Sequence, residues 1–365
     1  MSVTYGAAAD LLAAPYGSGV DIPAMAEILH DTSPWRRTNV RHVELVPKRR
    51  LELVSGRSHP ALTEEIATHL GVELGGANLR EFANGEIHCR YDGSLRGSDV
   101  FIVQTHSGPV NDSIMEQLIM IDAAKRASAK RITAVCPYYG YSRQDRKATG
   151  REPITAKLVA DMFQVAGADR VVSVDLHSGQ IQGFFDIPFD HLTATPVLVE
   201  ELHRLGTSDL VIVAPDAGRV RVAERFSQHL GADLAFVHKR RPRGTHNQVE
   251  ALDVVGEVQG RHCVLIDDMI DTAGTICAAA ELLAERGAAD ISAMATHGVL
   301  SDPAIQRLEK SPLTRVVVTN TLPISDEKLI EKLQVLSVAK LIADAIDAVF
   351  EDTSVSEIFG GDNLT

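Results

Sequence analysis

Several things are scarce in this chain, and each scarcity removes a class of protein. Its 365 residues hold only four cysteines, Cys89, Cys136, Cys263 and Cys277, scattered with no close pair of the kind zinc sites use. A chain this long builds a core without covalent staples. Cys136 and Cys263 sit inside apolar runs, where a reduced thiol packs as a small hydrophobe. A reducing cytoplasm follows as the expected location. No stretch approaches the ~18 consecutive apolar residues of a membrane span, so no membrane partner is expected. Positive charge is short as well: 36 Lys and Arg face 49 Asp and Glu, a formal net charge of −13. Sequence-independent nucleic-acid binding rests on neutralising phosphates, so no nucleic-acid partner is expected. The first basic residue, Arg36, comes after Asp10, Asp21 and Glu27, which argues against a targeting peptide.

What is present is an ordinary globular composition, 45% hydrophobic and 23% charged, with room for two cores. Residues 1–48 stand apart as a flexible extension. Ala-rich pieces are broken there by Pro15, Gly17, Gly19 and Pro23, Met25 lies in a short helical pattern, and a basic stretch runs from Arg36 to Arg50. From Leu51 apolar strands alternate with amphipathic helices, the mark of α/β layers with a mostly parallel sheet. Val100 to Gln104 reads as a strand, Ile114 to Ala127 as a helix and Ile132 to Cys136 as the next strand. About 160 residues later the phrase recurs as strand His262 to Ile266, helix Ile276 to Arg286 and strand Ile291 to Ala295, suggesting duplication.

Chemistry concentrates in Val264-Leu265-Ile266-Asp267-Asp268-Met269-Ile270-Asp271-Thr272-Ala273-Gly274-Thr275. A buried strand ends in paired carboxylates, and a small-residue turn then opens a helix. The free N–H groups and dipole of a helix start favour phosphate, and Gly274 allows close backbone approach. Acidic side chains repel bare phosphate, so their partners would be sugar hydroxyls or a phosphate-bound metal; a ribose 5-phosphate suits that mixture. Two basic clusters, His238 to Arg243 and Ser142 to Lys147 with Arg151 beyond, follow strand patterns. Either is also what a solvated face looks like, but beside a phosphate loop they suggest a polyphosphate substrate. Asp175 and His177, two apart at a strand exit, share one face. With Asp186, Asp190 and Asp216 they are candidate ligands for a phosphate-bound magnesium. Glu81-Phe82-Ala83-Asn84-Gly85-Glu86, followed by alternating Ile87, Cys89 and Tyr91, is a hairpin signal with no function of its own.

Taken in order, Arg143-Gln144-Asp145-Arg146, Gly150 to Lys157, Asp175-Leu176-His177 and Asp267 to Thr275 resemble the ribose-phosphate pyrophosphokinases, the phosphoribosyl pyrophosphate synthetase family, and most of all its class I branch. The likeness runs from about Leu51 to Phe359. It implies an α/β fold of two phosphoribosyltransferase-like domains, each a mostly parallel sheet flanked by helices. These would span residues 49–194 and 195–365, with the last strand and helix packing on the first domain. It implies Mg²⁺ as cofactor, ATP and ribose 5-phosphate as partners, and a homohexamer with active sites shared between subunits. By the same resemblance, Phe82, Asn84, Gly85 and Glu86, with Arg143 and Gln144, are ATP contacts, the hairpin reaching adenine from a neighbouring subunit. His177 and Asp216 match the Mg²⁺-associated pair, Lys239 and Arg241 the catalytic loop, and Arg241, Asp267, Asp271, Thr272, Ala273, Gly274 and Thr275 the ribose 5-phosphate site. Two departures stand out: position 84 is Asn where many relatives have Asp, and Ala273 replaces a frequent Gly.

The implied reaction transfers the β,γ-diphosphoryl group of ATP to the C1 hydroxyl of ribose 5-phosphate, releasing AMP. A phosphoribosyltransferase would not need the duplicated domain or the two basic segments. A non-catalytic regulatory homologue would be expected to have lost Lys239, Arg241, His177 or Asp267, all of which stand. Residues 1–48 fall outside the resemblance, so a chain begun near Lys48 is expected to keep its specific activity and oligomeric state. A large loss in either, measured beside the full chain, would make the extension a working part.

Overall fold

The apolar runs form strands of four to nine residues, too short for helices of a globular core. The computed structural model describes residues 49–206, 208–240 and 251–359, so the expected roles of Arg241 and of the extension lie outside the described residues. In chain order the first part contains β1 (Leu51–Ser55), α1 (Pro60–Leu70), β2 (Ala77–Glu81), β3 (Ile87–Tyr91), β4 (Asp99–Val103), α2 (Val110–Arg126), β5 (Arg131–Cys136), α3 (Thr155–Ala166), β6 (Arg170–Val174) and β7 (Phe189–Leu192). There follow α4 (Thr195–Leu205), β8 (Leu210–Ala214), α5 (Val220–Leu230), β9 (Asp233–Arg240), β10 (Ala251–Val255), β11 (His262–Ile270) and α6 (Gly274–Glu285). The chain continues with β12 (Asp290–Gly298), α7 (Ala304–Lys310), β13 (Arg315–Thr319), β14 (Leu333–Leu336) and α8 (Ala339–Phe350).

Two open sheets result. The first has strand order β1-β4-β5-β6-β7 and is parallel throughout. The second has order β10-β9-β8-β11-β12-β13-β14, with only β10 antiparallel to its neighbour β9. Parallel sheets are covered on both faces, which is why β4, β5 and β8 read as unbroken apolar runs. Alternation then sends neighbours to opposite cores. Val100 and Ile102 of β4 pack with α2 and α3, while Phe101 and Val103 pack with Leu62 and Ile66 of α1 and Ile342 and Ile346 of α8. In β11, Cys263 and Leu265 meet α6 and α7, and Val264 and Ile266 meet Leu198 of α4 and Phe226 of α5.

The hairpin forms as its turn residues require. Strands β2 and β3 pair antiparallel, the Phe82 N–H donates to the Glu86 carbonyl at 2.8 Å, and Gly85 takes φ +89°. Three expectations need correction. Strand β11 does not stop at Ile266: Met269 and Ile270 keep pairing with His297 and Gly298 of β12, so Asp267 and Asp268 lie within the strand. Asp175 and His177 are not on a strand, because β6 ends at Val174 and Asp175 turns away with φ +35°. Of the last strand and helix, α8 packs on the first sheet, whereas β14 completes the second by pairing with β13. Among the described residues no helix is long and apolar enough to cross a membrane.

A buried polar knot ties α2 to the first sheet. Gln117 donates to the carbonyls of Ile102 and Val135, and its own carbonyl accepts from His106 Nε2 at 2.9 Å. His106 Nδ1 accepts the Gly140 N–H at 2.8 Å, so both ring nitrogens are committed to the neutral form. Full burial holds this histidine down at about 4, with the Gln117 bond opposing. The unfolded ring titrates near 6.5, so the unfolded chain binds the extra proton first. The stability contributed by the neutral ring is complete above pH 6.5 and is lost as pH falls through about 4, an effect on the order of 3 kcal/mol. Urea midpoints should therefore fall between pH 7 and 5 more steeply in the wild type than in His106→Gln; parallel slopes would contradict this.

Candidate active site

The carboxyl ends of β6, β8 and β11 meet at one place, where ligand sites are expected in parallel sheets. A cavity of 250 Å³ is wrapped by residues 267–276 together with Arg143, His177, Asp216 and Arg219. Its floor is the N-terminus of α6. The first intrahelical bond runs from Cys277 N–H to the Ala273 carbonyl, leaving the N–H groups of Gly274, Thr275 and Ile276 without an acceptor in the helix. Ala273 caps the helix in the left-handed region at φ +58°, a conformation that favours glycine. At Gly274 a Cβ would lie 3.3 Å from Arg307 Nη1, whose donation to the Thr272 carbonyl at 2.9 Å braces the turn.

The acidic pair is not bare. Arg219, missed in the sequence, places Nε 2.9 Å from Asp267 Oδ1 and Nη2 2.8 Å from Asp268 Oδ1, with its side chain only 13% exposed. His177 Nδ1 lies 2.7 Å from Asp268 Oδ2. Burial would raise Asp268, but the His177 bond and the Arg219 charge together hold it below the usual carboxylate range. An ionised Asp268 accepts only, so in this pair it is the imidazole that donates, from Nδ1. Asp267 is pushed upward, by burial first and then by Asp268, with Arg219 opposing. From the other sheet Arg143 reaches across to Asp271, Nη1 to Oδ2 at 2.7 Å. Burial would raise Asp271 too, but bonds from Ser301 and Arg143 keep it low.

The structure thus brings Arg143, His177, Asp216, Asp267 and Asp271 to Thr275 around one cavity. It does not bring Phe82, Asn84, Gly85, Glu86 or Gln144 to that cavity. Gln144 turns its carbonyl back to the Thr155 hydroxyl at 2.6 Å. Phe82 is 45% exposed on the hairpin, beneath the Arg80 guanidinium, and Asn84 accepts from the Glu86 N–H; neither they nor Gly85 line this cavity. The backbone of Lys239 lies at the carboxyl end of β9, paired with Leu252 of β10, while Arg241 is outside the described residues. Asp186 and Asp190 do not line this cavity with His177 and Asp216, and the Asp190 carboxylate is paired with Arg170 at 2.5 Å. A second cavity of 380 Å³ shares His177, Arg219, Asp267 and Asp268 as a common wall. A larger cleft of 740 Å³ between α4, α5 and Phe359 holds none of the expected site residues.

The left-handed cap makes position 273 a sensitive one. Ala273→Gly removes a backbone cost of roughly 1–2 kcal/mol but also a buried methyl worth about 0.8 kcal/mol, so stability should hold within about 1 kcal/mol. Ala273→Val, β-branched and crowded, should lose roughly 2–3 kcal/mol in chemical denaturation. Equal stability of the two variants would count against the observed cap.

Comparison with known proteins places the chain in a family. A family model described as the N-terminal domain of ribose phosphate pyrophosphokinase matches residues 51–167. A second, described as the phosphoribosyl synthetase-associated domain, matches residues 237–360. The ribose-phosphate pyrophosphokinase of Streptomyces coelicolor is 54% identical over 318 residues, covering 87% of this chain and 98% of the relative. That of Mycobacterium tuberculosis is 54% identical over 317 residues, covering 86% and 97%. The crystal structure of phosphoribosylpyrophosphate synthetase from Mycobacterium smegmatis superposes with a TM-score of 0.80 at 53% identity, covering 83% of this chain and 100% of that one. On this footing the chain belongs to the ribose-phosphate pyrophosphokinase family.

Proposed function

We infer that the chain transfers a diphosphoryl group from ATP to the C1 hydroxyl of ribose 5-phosphate, giving 5-phosphoribosyl 1-diphosphate and AMP for nucleotide and amino-acid biosynthesis. The observation that carries this is the cavity whose floor is the α6 N-terminus and whose walls are Asp267 and Asp271. The N–H groups of Gly274, Thr275 and Ile276, with the Thr272 and Thr275 hydroxyls, suit the 5-phosphate. The carboxylates suit the ribose hydroxyls, which donate to them. Arg143, already directed at Asp271, suits the nucleotide phosphates.

The donors fit a magnesium ion that arrives with the nucleotide. Asp216 Oδ1 accepts the Gly218 N–H at 2.8 Å, and Asp216 lines the cavity with His177, which is held by Asp268. Two protein donors suit an ion that takes most of its ligands from phosphate and water. When bound, the ion would neutralise charge on the transferring phosphate oxygens. The protein's own residues hold donor and acceptor in line, and no covalent intermediate is required. Lys239, at the carboxyl end of β9, and Arg241 supply the closing cationic clamp of this proposal. The exposed Phe82–Glu86 hairpin is assigned to the adenine of a neighbouring subunit, within a homohexamer. A cytoplasmic setting completes the proposal; all four cysteines are free and three are buried.

AMP release from ATP, followed with and without ribose 5-phosphate, tests the activity: release should depend on the sugar phosphate, and its absence would favour a regulatory homologue. Lys239→Ala should lower kcat by roughly 10²–10³ while KM for both substrates moves only a few-fold, the pattern of a group acting in the transition state. An unchanged kcat with KM for ATP raised a hundredfold would reduce Lys239 to a binding residue. Mixing an inactive Phe82→Ala, Glu86→Ala chain with Lys239→Ala under subunit exchange should restore partial activity; no recovery despite exchange would refute shared sites.

A further inference from the structure

We propose that Arg219 is a positioning residue that reserves the Asp267–Asp268 pair for sugar hydroxyls and keeps the divalent ion on the Asp216 side of the cavity. The inference rests on the assignment of that cavity to ribose 5-phosphate. Two adjacent carboxylates beside an imidazole would ordinarily attract a divalent cation. Here the guanidinium stands between them, within 2.9 Å of one oxygen of each acid. Its Nη2 also lies 2.8 Å from His177 Nδ1, and Nη1 lies 3.5 Å from the His177 carbonyl. Arg219 thereby contacts three of the groups that face the reaction. Among the described residues no three His, Cys, Asp or Glu side chains converge as a metal site, although five such residues line this cavity.

The backbone fixes this arrangement. Arg219 closes the 3-10 turn Ala217–Arg219, which Asp216 caps through its bond from the Gly218 N–H. One short segment therefore delivers an acid to the ion and, three residues later, a cation to the acids. A guanidinium is a planar fork of fixed donors, so it can hold two carboxylates at once. A lysine offers a point charge and no such fork. Arg219 also belongs to both cavities, so its side chain is part of the partition between the 250 Å³ and 380 Å³ spaces.

The test uses the full chain without nucleotide and Mn²⁺ as the probe, its binding read by electron paramagnetic resonance. Arg219→Ala is expected to gain a Mn²⁺ site about tenfold or more tighter than any in the wild type, the scale that removal of one adjacent charge supports. Adding Asp268→Asn should abolish the gain. Arg219→Lys should gain no site, yet kcat should fall about tenfold or more and KM for ribose 5-phosphate should rise, with KM for ATP within about threefold. Folded Arg219→Ala that binds Mn²⁺ no better than wild type would overturn the proposal. Should Arg219→Ala melt below the assay temperature, Arg219→Gln takes its place, and unfolding of both would make Arg219 a folding residue and overturn it equally. Wild-type AMP release tests the cavity assignment separately, so the two failures are distinguishable.

Discussion

The cleft depends on one residue held in an unfavourable backbone conformation. Asp175, at φ +35°, follows the end of β6 and bonds to Thr296 and His297 of β12 in the second sheet. Its Oδ2 accepts the Ala194 N–H at 2.9 Å and the Thr296 hydroxyl at 2.6 Å, and its carbonyl accepts from His297 Nε2 at 2.9 Å. His297 Nδ1 takes the Thr321 hydroxyl at 2.8 Å, while Thr105 of the first half donates to the Thr321 carbonyl at 2.6 Å. Burial keeps His297 below its ordinary value, and so neutral, against the raising effect of Asp175. The left-handed turn costs roughly 1–2 kcal/mol, which hydrogen bonds to a charged group, each about 1.5–3 kcal/mol, can sustain. Two residues on is His177, whose placement against Asp268 follows from that turn.

Charge in the cleft is balanced locally, in a chain whose net charge of −13 offers little help from afar. Arg219 answers Asp267 and Asp268, and Arg143 answers Asp271. Balanced in this way, the acids can accept hydrogen bonds from hydroxyls without presenting a uniformly negative wall to a phosphate a few ångströms away. In the proposed assignment the helix start beneath them acts on the phosphate alone, so that acids, arginines and helix terminus would divide the recognition of one sugar phosphate among them.

Much of this was legible in the chain. Repeated βαβ phrases marked two parallel sheets, because strands covered on both faces are continuous apolar runs. Asn84-Gly85 marked the hairpin, and Asp267 to Thr275 marked the helix-terminus site, because each depends on local backbone chemistry. Long-range pairings were not legible. Arg219 reads as one more exposed charge until β11 is placed beside its turn. Asp190 looks like a ligand until Arg170 is seen one strand away. The length of β11 was misjudged because the acidic pair looked like an ending, while Met269 and Ile270 still had a partner strand. The apolar stripe of α8 says that it is buried, but not on which sheet.

That last helix has a consequence for how the molecule comes into being. Leu53, Phe101 and Val103 of the first sheet are covered by Ile342 and Ile346, which lie near the other end of the chain. On a ribosome the first sheet emerges early, at about 5–20 residues per second, yet the part of one face that α1 leaves open has no cover until translation is nearly done. For that interval the nascent chain carries an apolar surface that only its own C-terminal segment fits. The two halves are therefore not successive folding units but a clasp closed by the final helix, and shielding during synthesis becomes part of what this sequence requires of its cell.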